Sequence, residues 1–76
     1  MTLTELRYIV AVARERHFGR AATRCFVSQP TLSIAVKKFE EELGISLFER
    51  GTEITITPQG EPIIQQAQLV LEQVER

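Results

Sequence analysis

A chain of 76 residues has room for one small domain with a modest core, so a partner that buries further surface is expected to add to its stability. At 43% hydrophobic and 25% charged it is neither low in complexity nor disordered, and no apolar run approaches the ~18 to 20 residues that would cross a bilayer. The net charge of −1 conceals two halves: residues 1–38 hold seven cations against Glu5 and Glu15, a balance of +5, whereas residues 39–76 hold Arg50 and Arg76 against eight glutamates, a balance of −6.

The N-terminus "MTLTELRYIV" lacks the basic stretch, apolar run and cleavage site of a secretion signal, so a cytoplasmic location is expected. Residues 3–16 space Leu3, Leu6, Ile9, Val10 and Ala13 along one helical face, and Thr2 with Glu5 makes a capping box at its start. "HFGRAATRC" predicts a short second helix with Gly19 as N-cap and with Ala21, Ala22 and Cys25 facing inward, where small side chains let another helix cross closely. Phe26 and Val27 interrupt it. A third helix then starts at the N-cap Ser28, tolerates Pro30 in its first turn, carries Leu32, Val36, Phe39 and Leu43 on its inner face, and stops at Gly44.

Past Gly44 the apolar period changes to two. "ISLFER" and "EITIT", separated by Gly51 and Thr52, predict a hairpin that must lean on the helices. A last helix from about Glu61, with Pro62 in its first turn, carries a wide stripe of Ile63, Ile64, Ala67, Val70, Leu71 and Val74, which needs a cover. The fold class is therefore mainly α with a small β-hairpin.

A short helix with small residues, a tight turn and a second helix packed on the first is the helix-turn-helix pattern, whose second helix enters the DNA major groove. With Leu32, Val36 and Phe39 turned inward, the outer face carries Pro30, Ser33, Ile34 and Lys37, flanked by Gln29, Thr31 and Lys38. Gln29 has the donor and acceptor for adenine N6 and N7, Ser33 suits either kind of base, and the apolar atoms of Pro30 and Ile34 suit thymine methyls. Ser28, Thr31, Lys37, Lys38 and Arg20 suit phosphate oxygens. Arg50 is the sole cation of the hairpin; an arginine is favoured where the minor groove is narrow, and the competing assignment is a surface ion pair with Glu49 or Glu53.

Other chemistry is not expected. The sequence holds no Ser/His/Asp set, paired acid, Gly-rich phosphate loop or metal-ligand cluster, so no cofactor, metal or enzymatic activity is predicted. Cys25, the only cysteine, excludes an internal disulfide and reads as a small buried hydrophobe. His17 reads as a structural residue or a phosphate contact.

The stretch "RAATRCFVSQPTLSIAVKKFEEELGISLFER", followed by "TPQGE", resembles the N-terminal winged helix-turn-helix of LysR-type bacterial transcriptional regulators over nearly the whole chain, and is most similar to the peroxide-responsive OxyR type. The resemblance implies a winged helix-turn-helix over residues 1–57 and a linker, or dimerisation, helix over residues 58–76. It implies base contacts by Gln29, Pro30 and Ser33, phosphate contacts by Ser28, Thr31, Lys37 or Lys38, and a wing arginine, Arg50, that enters the minor groove. It also implies a homodimer on double-stranded DNA, or a tetramer in the full-length protein, pairing through the linker-helix stripe, with a C-terminal effector domain that lies outside this sequence and holds the peroxide-sensing cysteines. Glu53 near the wing tip departs from the more basic wing of many family members, which weakens the expected phosphate contact there. The rival reading is a winged-helix protein-interaction module without specific DNA binding, which predicts little salt dependence.

Overall fold

In the computed structural model, which describes residues 1–75, the predicted capping box is formed. The Thr2 hydroxyl accepts the Glu5 N–H at 3.1 Å, and the Glu5 carboxylate accepts the Thr2 N–H at 2.7 Å. Helix α1, Leu3–Glu15, buries Leu6, Ile9, Val10, Val12 and Ala13. Leu3 stands one turn beyond the edge of the core and is exposed, contrary to the spacing argument, while Val12 takes a core position.

Helix α2, Phe18–Arg24, starts two residues earlier than expected, because its cap is His17 and not Gly19. The His17 Nδ1 accepts the Arg20 N–H at 3.0 Å. A Cβ on Gly19 would lie 2.8 Å from the His17 Cε1, so the glycine makes room for the capping ring. Ala21 and Ala22 are buried as expected, but Cys25 is only half-buried. Phe26 turns the chain with a left-handed φ of 59° and leaves its ring almost wholly in solvent.

Helix α3, Gln29–Leu43, begins as predicted: the Ser28 Oγ accepts the Thr31 N–H at 3.3 Å, and Pro30 sits where backbone donors have no helical partner. Leu32, Val36 and Phe39 are buried, Leu43 is half-buried, and Gly44 closes the helix with a φ of 75°.

The hairpin strands are shorter than the alternating runs. Strand β1, Phe48–Arg50, pairs antiparallel with β2, Ile54–Ile56, with Glu49 opposite Thr55, around a loop of Gly51, Thr52 and Glu53. Leu47, just before β1, is fully buried in the core; its carbonyl accepts the Thr57 N–H at 2.9 Å, and its own N–H is taken by the Glu40 carboxylate of α3 at 2.7 Å. The same oxygen also accepts the Phe48 N–H at 3.4 Å, which fastens the wing to α3.

Thr57 then ties the hairpin to the last helix. Its hydroxyl donates to the Ser46 carbonyl at 2.6 Å and accepts the Gly60 N–H at 2.9 Å, standing in for the side-chain cap that Gln59 does not provide. Helix α4, Gly60–Val74, keeps Pro62 in its first turn as expected. A Cβ on Gly60 would meet the Leu47 carbonyl at 2.6 Å, so only glycine permits this close start. Helix α1 packs against α2, α3 and α4, and its apolar face is the floor on which the other helices rest. Arg76, the end of the predicted linker segment, lies outside the described residues.

Candidate nucleic-acid interface

The inward lock of Leu32, Val36 and Phe39 fixes which side of α3 faces out. Gln29, Pro30, Thr31, Ile34, Lys37 and Lys38 are exposed and Ser33 is half-buried. Ile34, 69% exposed, is a large apolar side chain held in water at the middle of this face. Its branched side chain puts apolar atoms within reach of whatever packs on this face, as the methyl of thymine would.

Two clefts flank Arg50. One, of about 500 Å³, lies between α3 and β1 and is lined by Ser33, Ile34, Lys37, Glu40, Ser46, Phe48 and Arg50. The other, of about 320 Å³, gathers Gln29 from the start of α3 with Arg16, His17 and Gly19 and with Arg50 and the loop of the wing. The structure thus brings Gln29, Ser33, Ile34, Lys37 and Arg50 around one continuous surface. Thr31 and Lys38, seven residues apart, share a different flank of α3, where Thr31 holds the Ser28 hydroxyl at 2.9 Å.

Two of the expected cations are otherwise engaged. Arg20 donates to the Glu15 carbonyl at 2.9 Å and pairs with its carboxylate at 3.5 Å, at the junction of α1 and α2, although its side chain stays largely exposed. Arg50 pairs with neither Glu49 nor Glu53 among the described residues; its guanidinium lies 4.2 Å over the centre of the Phe18 ring. Phe18 in turn meets Phe48 edge-on, with 6.4 Å between centroids. Sequence reasoning missed Phe18 because the residue reads as an ordinary core aromatic. It also missed Glu40, whose two backbone bonds set the wing's position on α3.

The apolar stripe of α4 divides. Ile64, Ala67 and Leu71 are buried in this chain's own core, so they are not free to form the dimer face on which they were expected. Self-packing therefore runs from Gly60 to Leu71, through most of the helix. Ile63, Val70 and Val74 remain at least partly open, and Leu69, absent from the predicted stripe, joins them at 53% exposed. Beside them an apolar groove of about 280 Å³ runs between α4 and Met1, Leu6 and Leu43.

His17 acts as a helix cap, and burial pushes the Cys25 thiol above its ordinary value of 9.0 while Arg7 pulls against the shift. No group of three metal-ligating side chains occurs among the described residues, and no helix among them is long and apolar enough to cross a membrane.

Residues 3–61 match the model of the bacterial regulatory helix-turn-helix proteins of the lysR family. The chain belongs to the LysR family. Over 75 residues it is 47% identical to the hydrogen peroxide-inducible genes activator of Pectobacterium carotovorum subsp. carotovorum and to the DNA-binding transcriptional dual regulator OxyR of Escherichia coli K12, covering 97% of this chain and 25% of each relative. It therefore spans about a quarter of the length of these curated relatives. Its structure is similar to that of full-length OxyR C199D from Pseudomonas aeruginosa, with a TM-score of 0.93 and 64% identity over 99% of this chain and 26% of that one. It is equally similar to the BenM DBD in complex with benA site 1 DNA, with a TM-score of 0.93 and 43% identity over 99% of this chain and 85% of that one. The four helices and hairpin of this LysR-family chain are thus a winged helix-turn-helix.

Proposed function

We propose that this LysR-family chain is the sequence-specific, double-stranded DNA-binding module of a bacterial transcriptional regulator, with α3 in the major groove. The observation that carries the reading is the continuous surface of Gln29, Ser33, Ile34 and Lys37 with Arg50, on a fold that matches a LysR-family domain solved with DNA. Gln29, Pro30, Ser33 and Ile34 read base edges, while Ser28, Thr31, Lys37 and Lys38 hold phosphates and fix the register. Arg20 adds a weaker phosphate contact, since Glu15 offsets its charge.

Residues 1–57 form the reading unit and residues 58–76 the linker helix, which pairs with a second copy through Ile63, Leu69, Val70 and Val74. The dimer then meets an inverted repeat, one recognition helix to each half-site. A tetramer in a longer protein carrying an effector domain follows the same scheme. Identity of 47% to the hydrogen peroxide-inducible genes activator of Pectobacterium carotovorum subsp. carotovorum supports a role in oxidative-stress control within the cytoplasm. The chain's work is binding and not catalysis.

Selection of duplex DNA from a random pool by this chain at moderate salt, followed by sequencing of the retained fraction, tests the reading. Enrichment of an inverted repeat is the expected result. Retention without a shared sequence leaves phosphate binding alone, and no retention at all favours a protein-interaction module.

A further inference from the structure

The posture of Arg50 is specific enough to assign a role to the ring beneath it. We infer that Phe18 is a positioning residue for DNA binding: its ring seats the Arg50 guanidinium between the two clefts, as a clamp for a backbone phosphate. The inference rests on the DNA-binding reading above and deepens it. It also replaces the minor-groove role that family resemblance implies for Arg50.

The geometry supplies each step. Phe18 is 7% exposed and is fixed from the side by the edge-on contact with Phe48, so it is a rigid platform. With its Cζ 4.2 Å over the centre of that platform, the guanidinium is held at a fixed height by the ring. Arg50 lines both clefts, and among the described residues no carboxylate pairs with its N–H donors. A planar fork of donors at a fixed height suits the oxygens of a phosphate. An arginine that enters the minor groove must instead extend away from its own fold and would abandon the ring. Gln29 on one side and Ser33 on the other put the clamp beside the residues proposed to read bases, where a phosphate contact fixes their register.

The test is a binding cycle with this chain on its selected duplex and on random duplex, across a salt series, with each variant's fold checked by circular dichroism and thermal unfolding. Arg50→Ala is expected to weaken both duplexes and to flatten the plot of log affinity against log salt by about one unit. Phe18→Leu is expected to weaken binding roughly three- to tenfold when Arg50 is present, and by less than about twofold when Arg50 is already alanine. A merely structural Phe18 gives the same loss in both backgrounds, and that result overturns the inference. Arg50→Lys keeps the charge without the planar fork and leaves the core untouched, so it answers even where Phe18→Leu does not fold. Binding by Arg50→Lys as poor as by Arg50→Ala supports the clamp; binding equal to the unmodified chain overturns it. Loss confined to A·T-rich duplex overturns it in favour of minor-groove entry. Failure of the unmodified chain to retain any duplex is the one result that removes the DNA-binding reading itself.

Discussion

Gln29 and Lys37 face the same surface but have different chemistry to offer it. An amide presents a donor and an acceptor that match adenine and mismatch the other bases, whereas an ammonium is a point charge that any phosphate satisfies. Gln29→Ala is therefore expected to weaken the selected duplex by about 1–3 kcal/mol and to relax the preference at one position. Lys37→Ala is expected to weaken every duplex and to flatten the salt dependence by about one unit. Affinity titrations on selected and scrambled duplex separate the two, and an equal loss on both duplexes for both variants sinks the assignment. Cys25 makes a second residue-level prediction. Burial disfavours its thiolate more than Arg7 restores it, so the folded chain holds less thiolate than an unfolded one at any pH below the shifted value. Alkylation of the folded chain by iodoacetamide should reach half its maximal rate above pH 9.0, and at pH 8 should be slower than in denaturant. Equal rates in the two states would defeat that account. Caps such as Thr2, Ser28 and Gly44 were legible in the sequence because each acts on backbone within a few positions. The seat of Arg50 on Phe18 was not, because only the folded wing brings β1 over the start of α2.

At the scale of the element, α4 carries the sharpest contrast. Its stripe of apolar residues was readable, but a stripe wider than one face serves two neighbours, and periodicity cannot say which residue serves which. Ile64, Ala67 and Leu71 face this chain's own core, so the surface for a second copy is narrower than the pattern implied. Leu71→Ala is expected to destabilise the isolated chain by about 2–4 kcal/mol, through lost burial and the cavity left behind. Val74→Glu, at a position 53% exposed, should change monomer stability by under about 0.5 kcal/mol while shifting self-association to higher concentration. Thermal unfolding and sedimentation velocity over a concentration series check the pair; loss of stability by both, with no change in association, would place Val74 in the core as well. The wing offers a parallel lesson. Alternation extended the first strand back to Ile45, yet the regular strand starts at Phe48: Leu47, buried in the core, still gives its carbonyl to the Thr57 N–H at 2.9 Å, but its N–H goes to the Glu40 carboxylate. A glutamate in an acidic run reads as solvated surface, and nothing local marks it as the wing's anchor.

For the whole molecule, the net charge of −1 is a poor guide to the field that a partner meets. Folding pairs Arg20 and Arg24 with Glu15 and Arg7 with Glu75, and it turns Glu40 toward backbone donors. Arg16, Lys37 and Arg50 line the clefts beside the reading face, so a formally acidic chain presents cations where a phosphate backbone would pass. If two such faces are joined through α4, their separation is fixed by the protein, and DNA must supply half-sites on one side of the double helix at a matching interval. Inserting about five base pairs between the half-sites turns one of them by roughly half a helical turn and should abolish cooperative binding. Inserting about ten restores the facing but lengthens the interval by roughly 34 Å, so only weak recovery is expected from so short a linker helix. Gel-shift titration of the three spacings measures this directly. A chain that binds all three alike reads each half-site alone, and its α4 face then has some use other than holding two recognition helices in register.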